Sequence, residues 1–229
     1  AIAAKHDLIA SFMPKPIFGI NGSGMHTHMS LFNSNGDNVF FDKDDEFNLS
    51  KTAYSFLAGQ LKHARALSAL VAPTVNSYKR LVPGYEAPVY VCWAQVNRSA
   101  LIRIPRYTAG QEKATRIEYR SPDPACNPYL CFSVMLAAGL EGIEKDYEIP
   151  IPVEGNVYEM SEDERAKRGI KTLPANLFEA INLAEKSELV QKALGKHVFN
   201  AFIKNKKIEW DEYRTQVTEY EIKKYLPIL

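Results

Sequence analysis

The sequence predicts an α+β domain in which antiparallel strands are flanked by helices and the C-terminal third is helical. Strand-like segments, and the motifs that could carry chemistry, fall in the first two thirds of the chain, whereas the last third shows helical patterning. The sequence has no β-α-β alternation and no internal repeat, which disfavours a doubly wound parallel sheet and a solenoid. With 229 residues, 46% of them hydrophobic, the chain can bury one sizeable core.

Strands are predicted from three short apolar or alternating stretches, at residues 89–96, 101–104 and 115–120. The stretches 76–88 and 105–114 show no periodicity and contain turn-forming residues, so both are predicted to be loops. In the first two thirds, Ser50 is expected to cap a helix that continues until Pro73. Asn127 is expected to cap a second helix that has proline at its first position.

The last third is predicted to consist of helices at residues 176–194 and 198–213, with Gly195 as the stop between them. Two capping boxes mark further helix starts, one formed by Ser161 with Glu164 and one by Thr218 with Glu221. The first six residues are typical of the middle of a helix and lack an initiator methionine. We therefore expect the chain to be the C-terminal part of a longer protein.

Composition limits the partners and the location of the protein. The net charge of +1 gives no indication of nucleic acid or an anionic membrane as a partner. No apolar run reaches the roughly 18 residues that span a bilayer. The chain has three cysteines, and no second close pair completes a zinc site. Reduced thiols in a cytoplasmic protein are therefore expected.

The first candidate motif is residues 21–30, Asn-Gly-Ser-Gly-Met-His-Thr-His-Met-Ser. Its first four residues are small or turn-forming, so the backbone can approach a ligand closely. In an extended strand, His26, His28 and Ser30 share one face. The alternative is a glycine turn followed by a strand whose histidines are merely solvated.

The second candidate motif is residues 116–120. On a strand, Arg116, Glu118 and Arg120 share one face, while Ile117 and Tyr119 face a core. A charged face of this kind suits an anionic ligand or a metal. A solvated face of an antiparallel sheet would show the same pattern.

Two further segments add charged residues that could face a substrate. The stretch 78–86 carries Arg80 and Glu86 around a Pro-Gly pair, which suits a lid over a polar substrate and equally an ordinary exposed loop. Arg98 precedes a short strand in which Arg103 lies between two isoleucines. An arginine in such a strand either pairs with an acidic group or holds an anion.

Together these segments place five arginines, two carboxylates and two histidines in short stretches bounded by strands. Arginines suit carboxylates and phosphates, and imidazole with glutamate suits a divalent metal. Phosphoryl transfer onto a carboxylate needs these groups. No Walker or Rossmann glycine motif is present. The residues alone therefore indicate an anion-handling enzyme that uses ATP and a metal.

The order of these motifs resembles that of glutamine synthetase. Residues 12–16 (Phe-Met-Pro-Lys-Pro) followed by residues 21–28 are similar to that family's ATP-site signature. The further segments that follow in the family's order are 76–88, 97–99, 103–105, 116–120, 121–124 and 127–129. The resemblance covers essentially the whole chain. It implies the C-terminal part of the catalytic domain, with the N-terminal β-domain and the first part of the catalytic domain absent.

The resemblance also implies an activity and the residues that carry it. The reaction is ATP-dependent ligation of ammonia to L-glutamate through γ-glutamyl phosphate, with Mg²⁺ or Mn²⁺. The implied metal ligands are His26 and Glu118. The implied ATP contacts are His28, Ser30, Arg98, Arg103, Lys113 and Arg116. The implied glutamate contacts are Asn21, Gly22, Arg80, Glu86, Arg98 and Arg120. Of these, Glu86 would accept the ammonium proton as the catalytic base, and Arg98 would lie between glutamate and the transferred phosphoryl group.

Further expectations concern assembly and regulation. The family forms stacked six-membered rings with sites between neighbouring subunits, so a homo-oligomer is expected and this chain should carry a half-site. The residues around Tyr158 do not match the adenylylation motif of some bacterial members. The ending 210–217 resembles a bacterial and archaeal subgroup controlled by glutamine or by regulatory proteins. The alternatives are a γ-glutamyl ligase that uses another amine, such as a polyamine, and a non-catalytic ring-forming homologue.

Overall fold

One mixed sheet carries the candidate motifs. In the computed structural model, which describes residues 1–84 and 87–229, five strands of the described ranges form it in the order β1-β4-β3-β2-β5. The strands are β1 (Thr27–Met29), β2 (Tyr90–Ala94), β3 (Ala100–Arg103), β4 (Ile117–Tyr119) and β5 (Lys171–Thr172). The predicted strands are thus present but shorter than their sequence patterns, which include flanking extended residues.

Antiparallel pairing holds for β1 with β4, β3 with β4 and β2 with β5. The β2–β3 pair differs from the expectation, because these two strands run parallel, with Tyr90 opposite Ala100 and Ala94 opposite Arg103. The intervening segment 95–99 returns the chain to the starting end of β2, which a tight hairpin cannot do. The α+β class is confirmed, and the sheet is mixed rather than wholly antiparallel.

Helices pack against this sheet and fill the C-terminal third, as predicted. They are α1 (Lys51–Val71), α2 (Ser77–Arg80), α3 (Pro128–Glu144), α4 (Glu162–Lys167), α5 (Leu177–Glu185), α6 (Glu188–Arg214) and α7 (Glu219–Tyr225). Ser50 caps α1 through the Ala53 amide, and Asn127 caps α3 with Pro128 at its first position. Both predicted capping boxes are present, at the starts of α4 and α7. Local polar side chains therefore set these helix starts.

Three local expectations differ from the structure. The predicted loop 76–88 contains the one-turn helix α2, and the first residues form a short 3₁₀ turn (Ala3–His6) rather than an α-helix. The predicted helix 176–194 is divided, because Ser187 caps α6 with its side chain and so starts a new helix. Gly195 does interrupt the helical backbone, with φ of 71°, and produces a kink within α6.

The core lies between the sheet and the helix pair α1–α3. Gly59 of α1 and Gly142 of α3 bring the two backbones together, since a Cβ on Gly59 would lie 2.0 Å from the Ala138 carbonyl oxygen. Trp93 of β2 and Tyr119 of β4 are among the largest fully buried side chains. None of the helices in the described ranges has both the length and the apolar character needed to cross a bilayer.

Candidate functional site

Strand register creates the charged face that the sequence predicted. Glu118 of β4 is paired in register with His28 of β1 on one side and with Arg103 of β3 on the other. His26 lies two residues before His28, so its side chain comes to the same face, diagonal to Glu118. Ile117 and Tyr119 point the other way and are fully buried. The prediction that the two motifs present their charged residues on one face is confirmed.

Glu118 is the centre of this face and is itself buried. Its Oε1 atom lies 2.8 Å from Nδ1 of His26, and its Oε2 atom lies 2.7 Å from Nε of Arg103. Nε of Arg120 is 3.7 Å from Oε1. Burial raises the pKa of Glu118, but the hydrogen bond with His26 and the charges of Arg103 and Arg120 outweigh burial and lower this pKa to about 2. The side chain is therefore a carboxylate at neutral pH.

His28 and Arg116 form a second polar contact beside this cluster. Nε of Arg116 donates to Nδ1 of His28 at 3.0 Å. Burial lowers the pKa of His28, and the positive charge of Arg116 lowers it further against the opposing effect of Glu118. The imidazole is therefore neutral at pH 7, as an acceptor for Arg116 must be. Together with Ser30, His28 lines a cavity of about 380 Å³ against the apolar side chains of α3.

A more polar cavity of about 450 Å³ is lined in part by His26. Its lining residues are Asn21, Gly22, Gly24, His26, Arg80, Ala87 and Arg120. Four of the residues implied as glutamate contacts are thus brought together, and His26 joins this cavity to the Glu118 cluster. The polar cavity of about 450 Å³ and the more apolar cavity of about 380 Å³ are lined by neighbouring residues of one segment, His26 and His28 respectively.

Arg80 supports the wall of the polar cavity. Its Nη1 atom donates to the carbonyl oxygens of Ser121 at 2.8 Å and Pro122 at 3.3 Å, and its Nη2 atom donates to that of Arg120 at 3.0 Å. The side chain is buried against residues 21–24, the glycine loop. A Cβ on Gly24 would lie 2.5 Å from Nη2 of Arg80. The glycine is needed for this close approach.

Arg120 closes the base of the same cavity. Its Nη1 atom donates to the carbonyl oxygens of Ala100, at 3.2 Å, and of Arg98. Arg98 is exposed, and its contact with Arg120 is through its backbone carbonyl oxygen. Lys113 is exposed in the 3₁₀ turn Glu112–Ala114, where its carbonyl oxygen accepts a hydrogen bond from Asn38 at 3.2 Å. Glu86 lies outside the described residues.

The donor set fits part of a divalent-metal site. His26 lines the polar cavity, and its Nδ1 atom lies 2.8 Å from Oε1 of Glu118, so an imidazole and a carboxylate lie side by side there. Mg²⁺ and Mn²⁺ accept such ligands but need further oxygen atoms around them. Across residues 1–84 and 87–229, no group of three His, Cys, Asp or Glu side chains converges. These two residues would therefore supply part of a coordination shell.

Sequence reasoning did not identify two residues that shape the site, Lys15 and Asn76. Their hydrogen bonds join two motifs that are distant in the sequence, residues 12–16 and 76–88. The available signal was weak, since it consisted of a lysine between two prolines and an asparagine before a helical turn. Neither pattern specifies a partner 61 residues away in the sequence.

The chain is similar in sequence to proteins of one known family. Residues 1–225 match the family described as glutamine synthetase, catalytic domain. A glutamine synthetase from Methanocaldococcus jannaschii is 56% identical over 226 residues, which cover 98% of this chain and 49% of that protein. A glutamine synthetase from Staphylococcus aureus is 52% identical over 225 residues, which cover 98% of this chain and 50% of that protein.

Two solved structures are also similar to this chain. A GmaS/ADP complex superposes with a TM-score of 0.87 at 40% identity, covering 99% of this chain and 51% of that one. GmaS without ligand superposes with a TM-score of 0.83 at 39% identity, covering 98% of this chain and 50% of that one. The chain spans about half the length of the curated relatives it matches.

Proposed function

The chain belongs to the glutamine synthetase family, and we propose on this basis that its protein catalyses the ATP-dependent ligation of ammonia to L-glutamate. The reaction would pass through γ-glutamyl phosphate. The single observation that carries the proposal is the buried Glu118 carboxylate, which contacts Arg103 and two residues of the polar cavity, His26 and Arg120. Such a cluster can neutralise and position phosphate and carboxylate groups.

We assign the binding of Mg²⁺ or Mn²⁺ to His26 and Glu118. When bound, the metal would neutralise the charge of the ATP phosphates. The hydrogen bond with His26 and the charges of Arg103 and Arg120 lower the pKa of Glu118, so this ligand needs no deprotonation at neutral pH. We propose that the remaining ligands come from the part of the protein that corresponds to the half of the relatives this chain does not match.

The nucleotide is assigned to the face that continues from this cluster along β1 and β4. His28 and Ser30 line the more apolar cavity, which suits an aromatic base. Arg116 is held beside His28 by a hydrogen bond of 3.0 Å. Arg103 lies one strand further along and faces Glu118. Lys113 and Arg98 are exposed, and we propose that their cationic groups meet ATP phosphates at the edge of this face.

Glutamate is assigned to the polar cavity. Asn21, Gly22, Arg80 and Arg120 are among the residues that line it. Arg80 uses part of its guanidinium on three carbonyl oxygens, and the remaining N–H groups can meet a carboxylate. Arg98 is proposed to bridge glutamate and the transferred phosphoryl group. Glu86 is proposed to take the proton of ammonium.

Assembly and location form part of the proposal. The family resemblance supports a homo-oligomer of stacked six-subunit rings, in which a neighbouring subunit completes each site. The same resemblance supports control by glutamine or by regulatory proteins rather than by adenylylation. The unpaired thiols of Cys92, Cys126 and Cys131 support a cytoplasmic location.

A second candidate is ligation of glutamate to another amine, such as a polyamine. The two GmaS structures are less similar to this chain, at 39–40% identity, than the glutamine synthetases are. The identity of 52–56% with glutamine synthetases favours ammonia. The loop that carries Glu86 also favours ammonia, because a bulky amine would need a more open entrance.

The decisive experiment measures product formation by the complete protein that carries this chain. With ATP, glutamate, ammonium and Mg²⁺, glutamine and ADP should form in equal amounts, and polyamines should give much less product. Preferential γ-glutamylation of a polyamine would support the second candidate, and ATP binding without turnover of any amine would support a non-catalytic homologue. The 229-residue chain alone is expected to be inactive, because its described residues bring only a partial metal shell together.

A further inference from the structure

The side chain of Asn76 is paired with the backbone of Lys15. The Lys15 amide donates to Oδ1 of Asn76 at 2.8 Å, and Nδ2 of Asn76 donates to the Lys15 carbonyl oxygen at 3.0 Å. One amide side chain thus satisfies both polar groups of a residue in a segment that would otherwise lack a strand partner. The pairing resembles one step of a β-ladder and fixes the distance between the two segments.

The segment held by Asn76 supports the glycine loop of the polar cavity. The Ser23 amide donates to the Pro14 carbonyl oxygen at 2.8 Å, and the buried ammonium of Lys15 donates to the Ile20 carbonyl oxygen. The contact is tight, since a Cβ on Gly22 would lie 2.2 Å from the Pro14 carbonyl oxygen. The position of residues 21–24 therefore depends on the position of Pro14 and Lys15.

Asn76 also begins the helical turn that carries Arg80. The Lys79 amide donates to the Asn76 carbonyl oxygen at 3.0 Å within α2, and Arg80 ends this helix. Arg80 and the glycine loop are adjoining parts of the lining of one cavity. Asn76 is thus the residue at which the supports of both parts meet, although it does not line the cavity.

We propose that Asn76 is a positioning residue for glutamate binding, acting through Lys15 and the glycine loop. The expected change in the KM for glutamate rests on the proposed function, whereas the expected loss of support for residues 21–24 does not. The ATP face is built on the hydrogen bonds between β1 and β4, which do not involve Asn76. Loss of the pairing should therefore affect glutamate binding and leave nucleotide binding unchanged.

In the complete enzyme, Asn76→Ala should raise the KM for glutamate about tenfold, the effect of roughly one net hydrogen bond, and change the KM for ATP less than about twofold. Asn76→Asp keeps an acceptor for the Lys15 amide but loses the donor to the Lys15 carbonyl oxygen, so it should raise the KM for glutamate as well. If Asn76→Ala does not fold, Asn76→Asp can be measured in its place.

Asn176→Ala is the matched control. Asn176 also precedes a helix and accepts a hydrogen bond from a backbone amide, that of Glu179 at 2.9 Å, but it lies in the C-terminal third. Its replacement should lower thermal stability comparably while leaving both KM values unchanged. Equal increases of the two KM values in the Asn76 variants, or an unchanged KM for glutamate, would overturn the inference.

Hydrogen exchange separates this inference from the proposed function. Asn76→Ala should accelerate amide exchange at Lys15 and Ser23 at least tenfold relative to Asn176→Ala, whatever reaction the protein catalyses. Unchanged exchange at these amides would overturn the positioning role even in an active enzyme. Absence of glutamine formation by the unmodified protein would instead overturn the proposed function and leave the exchange result valid.

Discussion

His26 and Glu118 are 92 residues apart in the sequence, yet Nδ1 of His26 lies 2.8 Å from Oε1 of Glu118. The antiparallel β1–β4 pairing brings them together, because it places residues 27–29 opposite residues 117–119. His26 of this pair lines the polar cavity, and within residues 1–84 and 87–229 no third His, Cys, Asp or Glu side chain joins the pair. Its chemistry can therefore be tested by removing one partner.

In the complete protein, His26→Ala should lower activity mainly by weakening metal binding. A missing ligand lowers affinity without removing the site, so excess Mn²⁺ should restore part of the activity. The measurement is turnover as a function of Mn²⁺ concentration. We expect the half-saturating concentration to rise about tenfold to 100-fold, the usual range for a disturbed metal shell.

His28→Ala is the control for that measurement, because it removes an imidazole from the same strand face. His28 accepts a hydrogen bond from Arg116, whereas His26 is the histidine bonded to the Glu118 carboxylate. Loss of His28 should therefore raise the KM for ATP and leave the Mn²⁺ dependence unchanged. If the Mn²⁺ dependence of His26→Ala equals that of the unmodified protein, His26 is not a metal ligand.

Glu86→Ala should lower turnover with ammonium by roughly 100-fold or more, within the range of a lost general base. Ammonium predominates at pH 7, but attack on an acyl phosphate requires neutral ammonia. Glu86 is the only acidic residue in the stretch 78–86. Hydroxylamine is largely neutral at pH 7, so turnover with hydroxylamine should fall much less.

The comparison of the two amines decides the role of Glu86. Glu162→Ala, which removes an exposed glutamate at the start of α4, should change either rate by less than about threefold. Equal losses with ammonium and hydroxylamine in Glu86→Ala would show that Glu86 shapes the loop without accepting a proton.

Gly59→Ala should lower the free energy of unfolding by about 2 kcal/mol, the usual cost of overpacking. Within a solvent-exposed helix the same change would stabilise by roughly 1 kcal/mol. The sign reverses here because the added Cβ would lie 2.0 Å from the Ala138 carbonyl oxygen, which is backbone and cannot rotate away. Urea denaturation measures the difference. Asn205→Ala, at an exposed position of α6, should be neutral or slightly stabilising, and equal stability of Gly59→Ala would contradict the close helix contact.

Stability should fall between pH 4.5 and pH 2 partly through Glu141 of α3. The hydrogen bond from Tyr147 at 2.7 Å, the contact with His63 at 2.9 Å and that with Lys145 at 3.3 Å outweigh burial and lower the pKa of Glu141 from 4.5 to about 2. A pKa that is lower in the folded state stabilises above the unfolded value, and this contribution is lost as pH falls through the folded value.

Glu141→Gln should therefore reduce the difference in unfolding free energy between pH 5.5 and pH 2.5, measured by denaturation at each pH. Glu144→Gln is the control, because Glu144 is exposed on the same helix, and it should leave that difference unchanged. A pH dependence in Glu141→Gln identical to that of the unmodified protein would show that the Tyr147 contact does not form in solution.

Much of the local structure could be predicted because it depends on neighbouring residues. Ser50 and Asn127 start their helices through side-chain bonds to amides two or three positions ahead, and such signals are readable in any sequence window. The alternation in residues 116–120 likewise placed Glu118 and Arg120 on one face, since strand geometry alone sets that period. The family resemblance then assigned roles that these patterns left open.

The sequence by itself determined the α+β class, the helix caps and the faces of the strands, because backbone dihedrals and side-chain periodicity are local properties. Only the tertiary structure decided that β2 and β3 run parallel, that His26 meets Glu118, and that Asn76 holds the backbone of Lys15. Each of these depends on which distant segment becomes a neighbour when the core closes and water is excluded. Register, burial and the pKa values that follow from them are properties of those long-range contacts.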